Sequence, residues 1–100
     1  MTYAQIPSKE LEALLNHNYA RDGMISPLIK DFKQAVTKMS ETDIAPLKEF
    51  LTTSFRDTAK QAREQMAAPG SKVSNQVRRS LVKHAMAKRV IDDRLEALTI

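Results

Sequence analysis

An all-α fold follows from three features of the 100-residue sequence. Apolar residues recur every three or four positions in four separate segments, the spacing of one helical face. No segment alternates apolar and polar residues as a half-buried strand does. The chain has two glycines and no internal repeat, and the breaks between segments coincide with helix caps. A single domain over residues 1–100 is expected. It is a small four-helix protein, with helices at about 8–21, 27–39, 43–66 and 73–98 and a long C-terminal hairpin.

Ser8 is the N-cap candidate of the first helix, and Glu10 and Glu12 oppose the positive end of its dipole. Leu11, Leu14, Leu15 and Tyr19 share one face, and Asp22-Gly23 supplies the stop. In the second helix Ser26 is placed to cap, with Pro27 at a position whose amide needs no partner. Its apolar face holds Leu28, Phe32, Ala35, Val36 and Met39. Ser40 to Asp43 reads as a turn that caps the third helix, and Pro46 is tolerated if it falls in the first turn. Ile44, Leu47, Leu51, Phe55, Ala59, Ala62 and Met66 then form one stripe, whose small residues permit close approach of a neighbour. Ala67 to Ser71 breaks the chain, and Ser71 or Ser74 caps the fourth helix. The expected core draws on Leu11, Leu15, Leu28, Phe32, Val36, Leu47, Leu51, Phe55, Leu81, Ile91 and Leu95.

Composition excludes several function classes. The absence of Cys removes disulfides, thiolate catalysis, Cys-ligated zinc and iron–sulfur clusters, and fits a reducing, cytoplasmic setting. No apolar run approaches the roughly 20 residues that cross a bilayer, and the N-terminal segment has neither a basic nor an apolar leader region. A soluble, unprocessed chain that does not engage membranes is therefore expected. His17 and His84 stand apart from any recognised metal-ligand spacing, so no metal and no cofactor are predicted. Gly23 and Gly70 form no phosphate loop, and no Ser or Thr sits in a nucleophile motif. The paired acids Glu10/Glu12 and Asp92/Asp93 read as cap or solvent charges. The sequence thus predicts no enzyme.

Charge is unevenly placed. Residues 1–55 hold six Lys/Arg and seven Asp/Glu, whereas residues 56–100 hold ten and five. From Gln65 to Ile91 there is no acid, while Lys72, Arg78, Arg79, Lys83, Lys88 and Arg89 supply six cations. An ordinary solvated helix mixes signs, so this run points to an anionic partner. No aromatic residue interrupts it, so it offers no stacking platform for bases. The cations also precede Asp92, Asp93 and Glu96, an order that opposes the helix dipole and calls for compensation from outside the helix.

Within the fourth helix Val77, Leu81, His84, Lys88, Ile91, Leu95 and Leu98 step alternately by four and three residues, a heptad seam with a polar centre. Packing on the chain's own bundle satisfies this seam. So does antiparallel pairing with a second copy, a possible homodimer in which the basic half of one helix meets the acidic half of the other. The turn from Thr37 to Asp43 lacks the glycine of a DNA-reading helix-turn-helix, and the helix after it opens with apolar residues.

The leading expectation is a small accessory or regulatory binding protein whose basic fourth helix contacts nucleic-acid phosphates through Lys72, Arg78, Arg79, Lys83 and Arg89. The alternative is a protein-interaction module, an inhibitor or adaptor, that docks the same cations on an acidic surface of a larger complex. An acidic protein surface and a phosphate backbone select the same side chains.

Overall fold

The computed structural model describes residues 8–18, 21–67 and 70–99. Its helices in chain order are α1 (Lys9–Leu15), α2 (Ser26–Thr37), α3 (Glu41–Gln65) and α4 (Asn75–Leu98). Among the described residues there is no strand, so the expected all-α class stands. Tyr19, expected on the face of the first helix, and Ala68 and Pro69, expected in the third break, lie outside the described residues.

Each helix start has a local cause, and two starts differ from expectation. Ser8 caps α1 by accepting from the Leu11 amide at 3.2 Å. Ile25 stands at the N-cap of α2 with no side-chain hydrogen bond, and Ser26 is itself helical. In α3 the Ser40 hydroxyl accepts from the Asp43 amide while the Asp43 carboxylate accepts from the Ser40 amide, a reciprocal box that starts the helix at Glu41. Pro46 therefore lies inside the helix, not in its first turn. It removes the amide that would have bonded the Thr42 carbonyl, at a place where both residues are exposed and water reaches that carbonyl. Ser74 caps α4 through the Val77 amide at 3.3 Å.

The first helix is shorter than expected. It ends at Leu15 with Asn16 as C-cap, and the next residues form a turn built on Asn18. The Asn18 carbonyl accepts from the amides of Arg21 and Asp22, and the Asp22 carboxylate accepts from the Asn18 amide. Three polar residues of low helix propensity, Asn16, His17 and Asn18, mark this change of direction. His17 is buried, and its Nε2 donates to the Gly23 carbonyl at 2.9 Å. Gly23 takes φ +75°, the left-handed conformation that lets the chain return towards α2.

The two long helices form an antiparallel hairpin. Near the loop the Gln65 side chain accepts from the Ser74 amide at 2.8 Å, midway Ser54 meets His84, and at the far end Arg94 donates to the Met39 carbonyl. At 1.5 Å per residue α3 is about 37 Å long, which accounts for most of the molecule's long dimension. The overall extents are 47 × 27 × 25 Å. The shorter α1 and α2 pack on each other and on α4, so α4 touches all three other helices.

That arrangement fixes the core: Leu11, Leu14 and Leu15 of α1, Phe32 and Val36 of α2, Ile44, Leu47 and Leu51 of α3, and Ala87 and Ile91 of α4. Burying one such aliphatic or aromatic side chain contributes about 1.5–3 kcal/mol. Leu28 and Leu95 pack against this cluster half-buried. Phe55, an expected core residue, is 40% exposed. Its ring meets the edge of His84 with centroids 6.4 Å apart.

Candidate anion-binding surface

The antiparallel hairpin turns a charge order along the sequence into a charge gradient along the molecule. Towards the loop, residues 55–83 contribute Arg56, Lys60, Arg63, Lys72, Arg78, Arg79 and Lys83 against two acids, Asp57 and Glu64. At the opposite end, residues 41–54 and 84–99 contribute six acids against four cations. Pairing also sets the negative C-terminal end of α3 beside the positive N-terminal end of α4, with Arg63 in the last turn of α3. The unfavourable charge order within α4 is thus offset inside the chain, and an outside partner is not needed for that purpose.

Six of the seven loop-end cations are exposed. On α4, at 100° per residue, Arg78, Val82, Ala85 and Arg89 fall on one outward stripe, all exposed. Arg78 and Arg89 are about 16 Å apart along the axis. Arg79 lies to one side of this stripe, Lys88 to the other, and Lys72 precedes the helix in the loop. Arg56, Lys60 and Arg63 form a second outward stripe on α3, spaced by four and three residues. Sequence reasoning missed this stripe because interleaved Asp57 and Glu64 masked it, although the spacing alone discloses it.

Lys83 is a correction to the expected binding set. Only 8% exposed, it reaches inward, and its Nζ donates to the Leu15 and His17 carbonyls at 2.9 Å each. These carbonyls belong to the end of α1 and the turn after it, where backbone acceptors lack helical donors. Lys83 is a clasp that joins α1 to α4. Burial, and then the charge of Arg79, push its pKa below the usual lysine value.

The seam of α4 is directed inward. Val77, His84 and Ile91 are buried within one chain, and Leu81 and Leu95 are half-buried. Lys88, expected in the seam, is exposed, with Ala87 buried in its stead. A heptad line suits one neighbouring helix. Because α4 has α3 on one side and α1 with α2 on another, its buried face is broader and centred away from Lys88. Leu98, in the last turn, is 38% exposed.

His84 is the polar centre of the hairpin, 1% exposed. Its Nδ1 lies 2.7 Å from the Ser80 carbonyl, which can only accept, so Nδ1 carries the proton. In the neutral ring Nε2 then accepts from the Ser54 hydroxyl at 2.6 Å. Both ring nitrogens have partners within the chain, and Ser54 is itself buried, so this serine–histidine contact joins α3 to α4. Burial is the main cause that pushes the His84 pKa below its usual value.

Two clefts open beside α4. One of about 400 Å³ is lined by His17, Asn18, Gln76, Arg79 and Lys83. The other, about 440 Å³, runs between α2 and α4, with an apolar floor that includes Ile29, Val36 and Val90 and charged residues Lys33, Arg89, Arg94 and Asp93 around it. Among the described residues no three His, Asp or Glu side chains gather as metal ligands, and no helix is long and apolar enough to cross a membrane.

No family model, curated protein or solved structure matches the chain.

Proposed function

We propose that the protein binds nucleic acid through its phosphates, with the loop end of the α3–α4 hairpin as the contact surface, in an accessory or regulatory capacity. The observation that supports this most is the segregation of charge: six exposed cations from three consecutive elements gather at one end of an elongated molecule. Lys72, Arg78 and Arg79 contact the backbone at the loop end, Arg89 continues the outward stripe of α4 beyond that end, and Arg56, Lys60 and Arg63 extend the field around α3. Arginine and lysine contacts of this kind position a duplex or strand without reading its bases. A fluorescence-anisotropy titration against labelled duplex DNA and single-stranded RNA, at low and near-physiological salt, tests the proposal. Binding that weakens steeply with salt is expected. No binding at low salt would remove the proposal.

The α2–α4 groove favours a second reading, a protein-interaction module. Its occupant is an acidic helical segment of a larger protein, with apolar residues on the floor and carboxylates facing Lys33, Arg89 and Arg94. An acidic amphipathic peptide then binds one-to-one, Arg89→Glu abolishes that binding, and nucleic acid does not compete. A peptide that binds equally well to Arg89→Glu would count against this reading.

A further inference from the structure

No aromatic residue lies within the basic run of α4, yet the hairpin brings one beside it from α3. Phe55 is 40% exposed, and its ring meets His84 at 6.4 Å between centroids with the planes inclined at 63°. His84 is itself fixed by the Ser80 carbonyl and the Ser54 hydroxyl, so the phenyl ring has a rigid neighbour on its inner side. Ala59, one turn on from Phe55, and Ala85, next after His84, are small and leave room beside the ring.

The ring and the outward arginines share one face of the hairpin. On α4, Lys83 is bonded to the end of α1, and Val90 and Arg94 line the groove against α2, which marks the flank that the short helices cover. At about 100° per residue, Arg78, Ala85 and Arg89 lie round on the other flank. On α3, half-buried Phe50 packs against the core, and Phe55 lies about 140° round the helix from it. Because the helices are antiparallel, these two outer flanks form a single face.

His84 marks the level of the ring along α4. Arg78 precedes it by about 9 Å along the axis and Arg89 follows it by about 7.5 Å, so Phe55 stands between two exposed arginines. Acids keep away from this place. None occurs between Gln65 and Ile91, Asp57 lies about 160° round α3 from Phe55, and Asp92 comes only beyond Arg89. An exposed ring with a cation to either side suits an unpaired base stacked on the ring, its flanking phosphates on the arginines. A duplex offers the same arginines its phosphates but keeps its bases within the stack.

We infer that Phe55 is a stacking platform for an unpaired base, with Arg78 and Arg89 holding the phosphates on either side, so that this face selects single-stranded nucleic acid. This role of Phe55 depends on the phosphate contacts proposed above and adds to them a preference between strand and duplex.

The test compares the full chain with Phe55→Leu, which keeps an apolar side chain without a ring, and Phe55→Tyr, which keeps the ring. Each is titrated by anisotropy against a single strand, an abasic strand of the same length and a duplex, at several salt concentrations. Phe55→Trp supplies a second readout, because the chain contains no tryptophan and a base stacked on the indole quenches its fluorescence.

Phe55→Leu should lose about fivefold or more in affinity for the single strand, with an unchanged salt slope and unchanged binding to the abasic strand and the duplex. Phe55→Tyr should retain native affinity, and the Phe55→Trp emission should be quenched by the single strand alone. Native affinity of Phe55→Leu for the single strand overturns the inference. So does an equal loss on all three probes, which marks a packing role, or a halved solution mass in Phe55→Leu, which marks a second copy as the cover of the ring. Salt-dependent binding that ignores Phe55 leaves the phosphate-contact proposal standing, whereas no binding of any probe at low salt overturns both.

Discussion

Replacing Lys83 with Met separates its structural role from the role expected of a surface cation. Lys83 makes two hydrogen bonds from a charged donor, to Leu15 and His17. At about 1.5–3 kcal/mol for each such bond, their gross contribution is about 3–6 kcal/mol. Methionine keeps much of the side-chain volume, relieves the burial of an ammonium group and leaves the freed carbonyls open to cleft water. The net loss is then about 2 kcal/mol, which for a domain of this size lowers the thermal midpoint by about 8–16 °C. Urea denaturation followed by far-ultraviolet circular dichroism measures it as a lower midpoint at unchanged slope. Hydrogen exchange should place the weakness in α1, with the Glu12 and Asn16 amides exchanging faster. A loss below about 0.5 kcal/mol with α1 still protected would refute the clasp, because surface substitutions of no structural consequence fall in that range.

Other predictions concern the hairpin. The folded His84 pKa lies below its unfolded value of about 6.5, so the unfolded chain binds the proton more readily. The stability from the neutral ring is complete above about pH 6.5 and is lost as pH falls through the folded value. Urea midpoints measured between about pH 7 and about pH 5 should therefore decline, and decline less in His84→Gln; identical profiles would contradict the neutral tautomer. Ser40→Ala removes one half of the capping box and should destabilise by about 1 kcal/mol in the same urea assay. Pro46→Ala restores the amide for the Thr42 carbonyl and should raise stability by about 1–3 kcal/mol, with no change pointing to a cost already absorbed by solvation.

The helices were legible because their signals are local. Ser8 caps where serine before an apolar period predicts, Ser74 is one of the two caps expected for α4, the Ser40–Asp43 turn caps α3 although the helix begins two residues early, and Leu11, Phe32, Val36, Leu47, Leu51 and Ile91 enter the core as their spacing predicts. What escaped depends on partners far along the chain. Nothing near Lys83 indicates that carbonyls from Leu15 and His17 will arrive 68 and 66 residues away in sequence. Ala87 displaced Lys88 because α4 has neighbours on two sides, a fact of topology that a single heptad line does not contain. Phe55 shows the converse, an aromatic residue on the expected stripe that is left 40% exposed. The polar run Asn16-His17-Asn18 was a visible local signal for the early end of α1, and its low helix propensity should have outweighed Asp22-Gly23.

The salt dependence of nucleic-acid binding tests the central proposal most directly. If Lys72, Arg78, Arg79 and Arg89 each neutralise one phosphate of duplex DNA, log affinity against log salt has a slope of about −3.6. The Arg78→Gln/Arg89→Gln variant, altered at two exposed positions, should bind more weakly and show a slope of about −1.8, while Lys83→Met keeps the larger slope. Equal slopes for the native chain and the double variant, or a slope near zero for both, would contradict binding through the outward face of α4.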